Sequence, residues 1–131
     1  MAKTLFEAEL IQGHKGVTVV IVPFDPEQEW SRKPVRLDPR RDGWLITGTA
    51  NGVQFDGYIG QRWGRFFIII DRELRETAGV SVGDRLIMSV GPTATVRALD
   101  RAREQSKLTT APKKGRPDAV DPPGSLVRRS R

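Results

Sequence analysis

The residues with the clearest chemical potential form a short cluster of aromatic and basic side chains, Tyr58, Arg62, Trp63 and Arg65. On an exposed hairpin loop, an aromatic ring beside two guanidinium groups can stack on a base or grip a carboxylate or a phosphate. A tryptophan is costly to leave in solvent, which favours a binding role for it. The alternative is that Trp63 folds back and closes one end of the fold with the other two tryptophans.

Two further residues are candidates for the same binding site. Arg75, on a short predicted helix, either faces a ligand at the mouth of the fold or pairs with Asp71 and covers the rim. Asp84 follows a glycine, and its carboxylate either joins a cluster of acids or bonds backbone amides within a tight turn. The expected binding residues are therefore Tyr58, Arg62, Trp63, Arg65, Arg75 and Asp84.

The common signatures of catalysis, metal binding and cofactor binding are missing from the sequence. The chain has no cysteine, which excludes disulfides, zinc–thiolate centres, iron–sulfur clusters and a cysteine nucleophile. Its one histidine, His14, lies in a glycine-bounded turn without a serine elbow or a second metal-type ligand nearby. No glycine-rich turn joins a strand to a long helix, as nucleotide sites require. We therefore expect no catalytic residue, no metal and no cofactor, and a protein that is not an enzyme.

Most of the positive charge lies in the last quarter of the chain. The 131 residues carry a net charge of +6, yet residues 1–99 hold 13 Lys and Arg against 12 Asp and Glu, whereas residues 100–131 hold nine against four. The later segment is rich in proline and poor in aliphatic residues. We therefore expect a domain over residues 1–99 and a basic tail over residues 100–131 that is disordered from about residue 108.

The tail suggests one possible partner and the rest of the chain excludes another. A basic tail can bind nucleic acid through counterion release, and a contiguous basic face on the domain that continues into the tail would favour this partner. No apolar run reaches the length of about 18 to 20 residues that a membrane span needs. Acidic residues occupy the place where a secretory signal would have its apolar segment. The sequence thus predicts a cytoplasmic protein without a membrane partner.

The elements that position these residues are mainly β-strands. Alternation of apolar and charged side chains predicts a strand over residues 4–12, and a β-branched run predicts another over residues 17–22. Asn51-Gly52 between two extended runs predicts a type I′ hairpin turn. A uniformly apolar run at residues 65–70 predicts a strand that is buried on both faces or lies in the middle of a closed sheet. Further strands are expected at 35–37, 44–50, 53–59 and 85–90, and short helices at 25–30 and 72–78.

Six or so strands with one or two short helices favour an all-β fold, a small closed six-stranded barrel, because closure leaves no unpaired strand edges. Asp25 and Asp71 are the expected N-caps of the two helices, and Gly79 is the expected left-handed C-cap. The sequence of residues 93–98 is compatible with two structures. They either add an edge strand or run into a short exposed helix that continues through residues 99–107.

Four segments occur in the order seen in a known family, and these are residues 6–10, 22–25, 46–57 and 74–84. They resemble a small β-barrel family of unknown function that often precedes the helical module of YdeI/OmpD-associated, bacteriocin-protection-type proteins. The resemblance covers about residues 4–90 and implies a six-stranded closed barrel without established chemistry. The chain departs from this family in two places: Gln61–Gly64 replaces a Gly-Asp-Gly-type loop, and the basic tail stands in place of the helical module.

A more local resemblance concerns residues 70–86, which are similar to the swapped-hairpin DNA-binding domain of AbrB-type transition regulators. The shared pattern is a strand, a one-turn helix, a Gly-Asp turn and a second strand, although Asp71 stands where those domains usually have proline. Our first expectation is a non-enzymatic β-barrel module that binds a small ligand or a partner protein at one barrel rim. The alternative is an AbrB-like DNA-binding regulator.

Overall fold

The structure, a computed structural model, describes residues 3–109 and every side chain in that range except those of His14, Leu108 and Thr109. The strands are β1 (Thr4–Glu9), β2 (Ile11–Gln12), β3 (Thr18–Val22), β4 (Val35–Asp38), β5 (Arg41–Ala50), β6 (Val53–Arg62), β7 (Arg65–Ile69) and β8 (Arg85–Pro92). The helices are α1 (Pro26–Trp30), α2 (Arg72–Ala78) and α3 (Val96–Thr109), and a short 3-10 helix spans His14–Gly16. The interpretation of His14 as a chance loop residue concerns a side chain outside this description.

The strands form one antiparallel sheet in the order β1-β8-β5-β6-β7-β3-β2, with the short β4 paired to the start of β5. β1 and β2 are one extended segment interrupted at Leu10, and β1 pairs with β8 whereas β2 pairs with β3. The Leu10 amide donates to the Asp84 carbonyl and the Leu10 carbonyl accepts from the Gly83 amide, both at 2.8 Å. The two ends of the sheet are thus connected, and the sheet is a nearly closed barrel.

The predicted all-β barrel is confirmed. Six long strands, β1, β3 and β5 to β8, build the barrel, and the short β2 and β4 are additions to the expected six. The Asn51-Gly52 turn joins β5 to β6 with φ of 49° and 82°, as a type I′ turn requires. Side chains at alternate positions fill the interior, among them Phe6, Leu10, Val20, Ile46, Ile59, Ile68, Leu86 and Met88.

Aromatic side chains close one end of the barrel. Asp25 caps α1 as predicted, because its carboxylate accepts from the Glu27 amide at 2.9 Å. The Trp30 indole nitrogen donates to the Thr4 hydroxyl at 3.0 Å, and the Trp44 indole nitrogen donates to the Arg32 carbonyl at 2.8 Å. Both tryptophans therefore pack on the barrel core with their one polar atom satisfied.

β7 is covered on both faces, as its uniformly apolar sequence predicts. Ile68 faces the interior, whereas Phe67 and Ile69 face outward into a second group of buried side chains. This group, which we call the outer cluster, lies between the sheet, β4 and α3 and consists of Val19, Leu37, Tyr58, Phe67, Ile69 and Ala102. The outer cluster is the reason why a small barrel carries apolar residues on both sides of its central strand.

The segment after β8 adopts the helical alternative. β8 ends at Pro92 and α3 begins at Val96. The expectation that this helix is exposed is wrong, because Ala98, Ala102, Gln105 and Ser106 are buried against the barrel. α3 runs across the expected boundary between residues 99 and 100. The expected disorder from about residue 108 concerns residues that lie almost wholly outside the description.

Two carboxylates attach α3 to the barrel. Asp71 is the N-cap of α2 and accepts from the Leu74 amide at 3.0 Å through Oδ1, while its Oδ2 accepts from Arg101 and, at 2.9 Å, from Gln105 Nε2. The Ser106 hydroxyl donates to Asp38 Oδ2 at 3.0 Å. α3 is therefore held by buried polar contacts as well as by the outer cluster.

The segment that resembles AbrB-type domains has the predicted order of elements. α2 ends at Gly79, which has a φ of 69° and is the expected left-handed C-cap. A turn through Gly83 and Asp84 then leads into β8. β7 and β8 are separated within the barrel by β6 and β5, so this strand–helix–turn–strand unit is part of a larger sheet.

Candidate functional site

The β6–β7 hairpin ends in a two-residue turn that is built from Trp63 and Gly64. Both residues have positive φ, 52° and 77°, which is the type I′ conformation. Arg62 and Arg65 flank this turn and lie directly opposite each other in the β6–β7 pairing. Two guanidinium groups and one indole ring are thus gathered at a single hairpin tip.

The arginine pair projects from the outer face of the barrel. Side chains alternate between the two faces of a strand, and Arg65 is two residues before Phe67, which belongs to the outer cluster. Arg62 lies two residues after Gly60, which is the direct partner of Phe67. Both arginines therefore occupy the same face as Phe67, above the uncovered end of the outer cluster.

A groove of about 420 Å³ runs from this hairpin tip across the outer face of β7 and β3 to β2 and the glycine turn that follows it. Most of its surface is apolar, and the charged groups are confined to the hairpin end. No carboxylate occurs among the described residues that line the groove. These residues are Ile11, Gln12, Gly13, Val17, Val19, Ile21, Arg62, Trp63, Arg65 and Phe67.

Gly60 permits the close packing of the ring that forms part of the groove floor. A Cβ atom at this position would lie 2.6 Å from Cζ of Phe67 and 3.0 Å from the Tyr58 ring, which is closer than real contacts allow. The Phe67 ring instead lies against the glycine and meets Tyr58 edge to face, with 6.2 Å between ring centroids. The floor of the groove is therefore a fixed aromatic surface.

Trp63 does not close an end of the barrel. Its side chain is 84% exposed, and the Arg62 guanidinium carbon lies 5.1 Å from the centre of its ring. This distance corresponds to a cation–π contact. The alternative in which Trp63 folds back onto the barrel is wrong, and the barrel end is covered by Trp30 and Trp44 instead.

Three of the six expected binding residues meet at the groove, and three lie elsewhere. Tyr58 is fully buried in the outer cluster. Arg75 donates from Nη1 to the Thr18 hydroxyl at 2.9 Å, and Thr18 in turn donates to the Ile70 carbonyl at 2.6 Å. Asp84 accepts from the Ser81 amide at 2.8 Å within its own turn. The site that the geometry assembles therefore contains Arg62, Trp63 and Arg65.

Sequence reasoning missed the apolar half of this site. Val17, Val19 and Ile21 occupy alternate positions of a β-branched run, so they share one face of their strand. That spacing was a usable signal, but the run is equally apolar at the intervening positions. Which face points outward was settled only by the pairing of Ile21 with Phe67.

The guanidinium group of Arg65 can reach a ligand. Within residues 3–109 it has no carboxylate partner, and the side chain is exposed.

The same part of the chain contains no group of three or more histidine, aspartate or glutamate side chains that could hold a metal ion. None of its helices combines the length and the apolar character that crossing a lipid bilayer demands.

Fold and site together define a small antiparallel β-barrel domain with a groove on its outer face. The family model described as a domain of unknown function, DUF1905, matches residues 6–90, and the chain belongs to this family. The matched region contains the whole barrel except the first residues of β1 and the last residues of β8, and it ends before α3. A comparison with curated proteins gave no match.

Proposed function

We propose that this protein is a binding module, without catalytic activity of its own, and that its outer groove takes a small organic anion with an apolar body. The observation that carries the proposal is the pairing of Arg62 directly opposite Arg65 at the end of an apolar groove. The anionic group would lie between the two guanidinium groups, and the apolar body would lie on Phe67 and the aliphatic side chains of β3.

The arginine pair supports an anionic ligand. Like charges that face each other across two strands repel each other. A carboxylate, sulfonate or phosphate between the two groups removes the repulsion and accepts charge-assisted hydrogen bonds from them. Arg65 has no carboxylate partner within residues 3–109, so its guanidinium can take part in such bonds.

The conformation of Trp63 supports a functional role for the hairpin tip. A side chain with a Cβ pays about 1–2 kcal/mol for the left-handed conformation, and asparagine or glycine is the usual occupant of this turn position. A large indole at this position is 84% exposed, so it gains little burial in return. Such a local cost is typical of residues that are kept for binding.

The dimensions of the groove support a small ligand over a folded partner. Pockets for small molecules measure about 300–1,000 Å³, and they are mostly apolar with a few polar groups that fix orientation. At about 420 Å³, with its charge at one end, the groove has this character. An elongated ligand of the fatty-acid or aryl-carboxylate type suits such a groove.

A matched pair of fluorescent probes tests the proposal. Anilinonaphthalene sulfonate (ANS) and N-phenylnaphthylamine share one aromatic skeleton, but only the former carries a negative charge. The full-length protein should bind ANS, and decanoate should displace it. Arg65→Gln should weaken ANS binding by about tenfold, the size expected for a lost charge-assisted hydrogen bond, and should leave binding of the neutral probe nearly unchanged.

The control variant is Arg72→Gln, which removes an arginine whose side chain is 83% exposed on α2, away from the groove. It should bind both probes as the unmodified protein does. Decanoate should also protect the exposed Trp63 from quenching by acrylamide. Equal ANS affinity in Arg65→Gln and Arg72→Gln, or no effect of decanoate on either signal, would rule out the groove as an anion site.

A further inference from the structure

A second charged region lies between the β4–β5 turn and the second half of α3. A depression of about 480 Å³ in this region is lined by Arg36, Leu37, Asp38, Pro39, Arg103 and Lys107. Arg40 follows Pro39 in the same turn and is exposed. We call the set Arg36, Arg40, Arg103 and Lys107 the basic face.

Most of the charge on this face is not neutralised by neighbouring acids. Arg36 pairs with Asp42 at 2.7 Å, whereas Arg103 donates through Nε to the carbonyl of Leu37 at 3.1 Å. Within the part of the chain that the structure describes, neither Arg40 nor Lys107 has a carboxylate partner. The face therefore presents a surplus of cations to solvent.

The one carboxylate at the base of the face is occupied by other contacts. Asp38 Oδ1 accepts from the Arg40 amide at 2.8 Å, and Oδ2 accepts from the Ser106 hydroxyl at 3.0 Å. These bonds fix Asp38 as the link between the β4–β5 turn and α3. Asp38 thus orders the turn that carries Arg40 and joins this turn to α3.

The sequence that follows α3 continues the positive charge. α3 ends at Thr109, less than one turn beyond Lys107. Residues 110–131 contain six Lys and Arg against two Asp. The basic face is therefore followed along the chain by a basic segment.

We infer that the basic face binds the phosphate backbone of a nucleic acid, without reading its sequence. Arg103 and Lys107 are four residues apart on α3, which corresponds to about 6 Å along the helix axis and lets them contact neighbouring phosphates of one strand. Each cation that neutralises a phosphate releases counterions, which gives an attraction that falls with salt.

The face is less suited to a lipid bilayer. Insertion into an interface requires large apolar side chains beside the cations. On α3, however, Ala98 and Ala102 are buried against the barrel, and Leu99 packs on the outer cluster. Leu37, the aliphatic residue that lines the depression, is 1% exposed. The chemistry of the face is therefore that of a polyphosphate site.

Fluorescence anisotropy with a short fluorescein-labelled DNA duplex of arbitrary sequence tests this inference in the full-length chain over a range of salt concentrations. The face variant Arg40→Gln/Arg103→Gln/Lys107→Gln should lose about tenfold or more in affinity at low salt, and the slope of log affinity against log salt should become shallower by about 2 to 3. The control variant Lys3→Gln/Arg72→Gln/Arg85→Gln, which has the same net charge, should keep the original slope.

Two additional variants separate the alternatives. Arg40→Gln/Lys107→Gln retains the Arg103 bond to Leu37, so it should fold normally, as checked by thermal unfolding, and its slope should become shallower by about 2. Arg65→Gln should bind DNA normally, because the hairpin groove takes no part in this site. Failure of the groove proposal and failure of this inference are thus distinguishable.

Three results would overturn the inference. The first is absence of duplex binding by the unmodified protein at low salt. The second is an equal loss in the face and control variants, which would reflect net charge alone. The third is tighter binding to vesicles of phosphatidylserine and phosphatidylcholine than to the duplex, which would identify the face as a membrane surface.

Discussion

Asn51 and Trp63 occupy the same position in two turns of the same type, with φ of 49° and 52°, and each is followed by a glycine of positive φ. Asn51 is suited to this position and has a second task, because its side-chain oxygen accepts from the Ile87 amide at 2.7 Å. The side chain of Trp63 is instead 84% exposed. The protein therefore contains one turn adapted to folding and one turn of the same geometry that carries an exposed indole.

Trp63→Asn should stabilise the protein and weaken ligand binding at the same time. Relief of the left-handed conformation should raise the free energy of unfolding by about 1 kcal/mol, whereas the loss of the indole should reduce ANS affinity. Urea unfolding and ANS titration of the same sample measure the two effects. The reciprocal change, Asn51→Trp, should destabilise the barrel. If Trp63→Asn lowered the free energy of unfolding, the left-handed conformation would not be unfavourable for Trp63.

The attachment of α3 through Asp71 should be separable from helix capping. Asp71→Asn keeps a capping oxygen for α2 but presents an amide to Arg101 and Gln105, so it should lower the free energy of unfolding by about 1–3 kcal/mol. Asp71→Ala should cost about 1 kcal/mol more, because the cap is lost as well. Hydrogen exchange should localise the effect of Asp71→Asn to α3. Equal exchange in α3 of both proteins would show that Asp71 does not hold this helix.

Ile69→Ala should be among the most destabilising single changes in the barrel. Ile69 is fully buried in the outer cluster, and truncation of a buried isoleucine leaves a cavity that costs about 2–4 kcal/mol. Ile87→Ala is the matched control, because Ile87 is 56% exposed and its truncation should cost less than about 0.5 kcal/mol. Chemical unfolding of both variants measures the difference. Rapid amide exchange along β7 would contradict the central position of this strand.

The ionised carboxylate of Asp38 should make the folded protein more stable at neutral pH than at acidic pH. The hydrogen bond from the Arg40 amide lowers the pKa of Asp38 below its ordinary value, and the Ser106 hydroxyl and the charges of Arg41 and Arg36 act in the same direction. A pKa that is lowered by folding gives stabilisation that is fully present above about pH 4 and is lost as the pH falls through the lowered value.

Asp38→Asn isolates this contribution, since the amide oxygen can still accept one of the two hydrogen bonds. The variant should be less stable than the unmodified protein at neutral pH, and the difference should shrink as the pH falls below about 4. Thermal unfolding across this pH range measures the effect, with Asp100→Asn as the exposed control. A constant difference at every pH would mean that the charge of Asp38 contributes nothing.

Elements with strong local signals were predictable from the sequence. Some segments strongly prefer one local conformation, and the native structure adopts it there. These are the β-branched run of β3, the Asn51-Gly52 turn, and the caps Asp25, Asp71 and Gly79. The uniform apolarity of β7 also indicated burial on both faces correctly. The barrel followed from the number of such strands and the near absence of long helices.

The packing of α3 was not predictable in the same way. Its buried residues are two alanines, a glutamine and a serine, and these residue types give no apolar stripe in the sequence. Gln105 and Ser106 are buried because Asp71 and Asp38, from distant parts of the chain, accept their hydrogen bonds. The groove was hidden for a related reason, since its walls come from three strands that only the sheet brings together.

The connection of the two sheet ends at Leu10 determines when the barrel can be completed during synthesis. β1 is synthesised before the other described strands, yet its pairing partner is β8, which also supplies one of the neighbours of β5. Until Arg85–Pro92 has emerged from the ribosome, β1 has no partner in the barrel and β5 keeps one open edge. β8, the last strand within residues 3–109, is therefore inserted between the first described strand and one from the middle of this range. A nascent chain that stalls before this point exposes two unpaired strand edges, which are the surfaces that chaperones shield and that aggregating chains share.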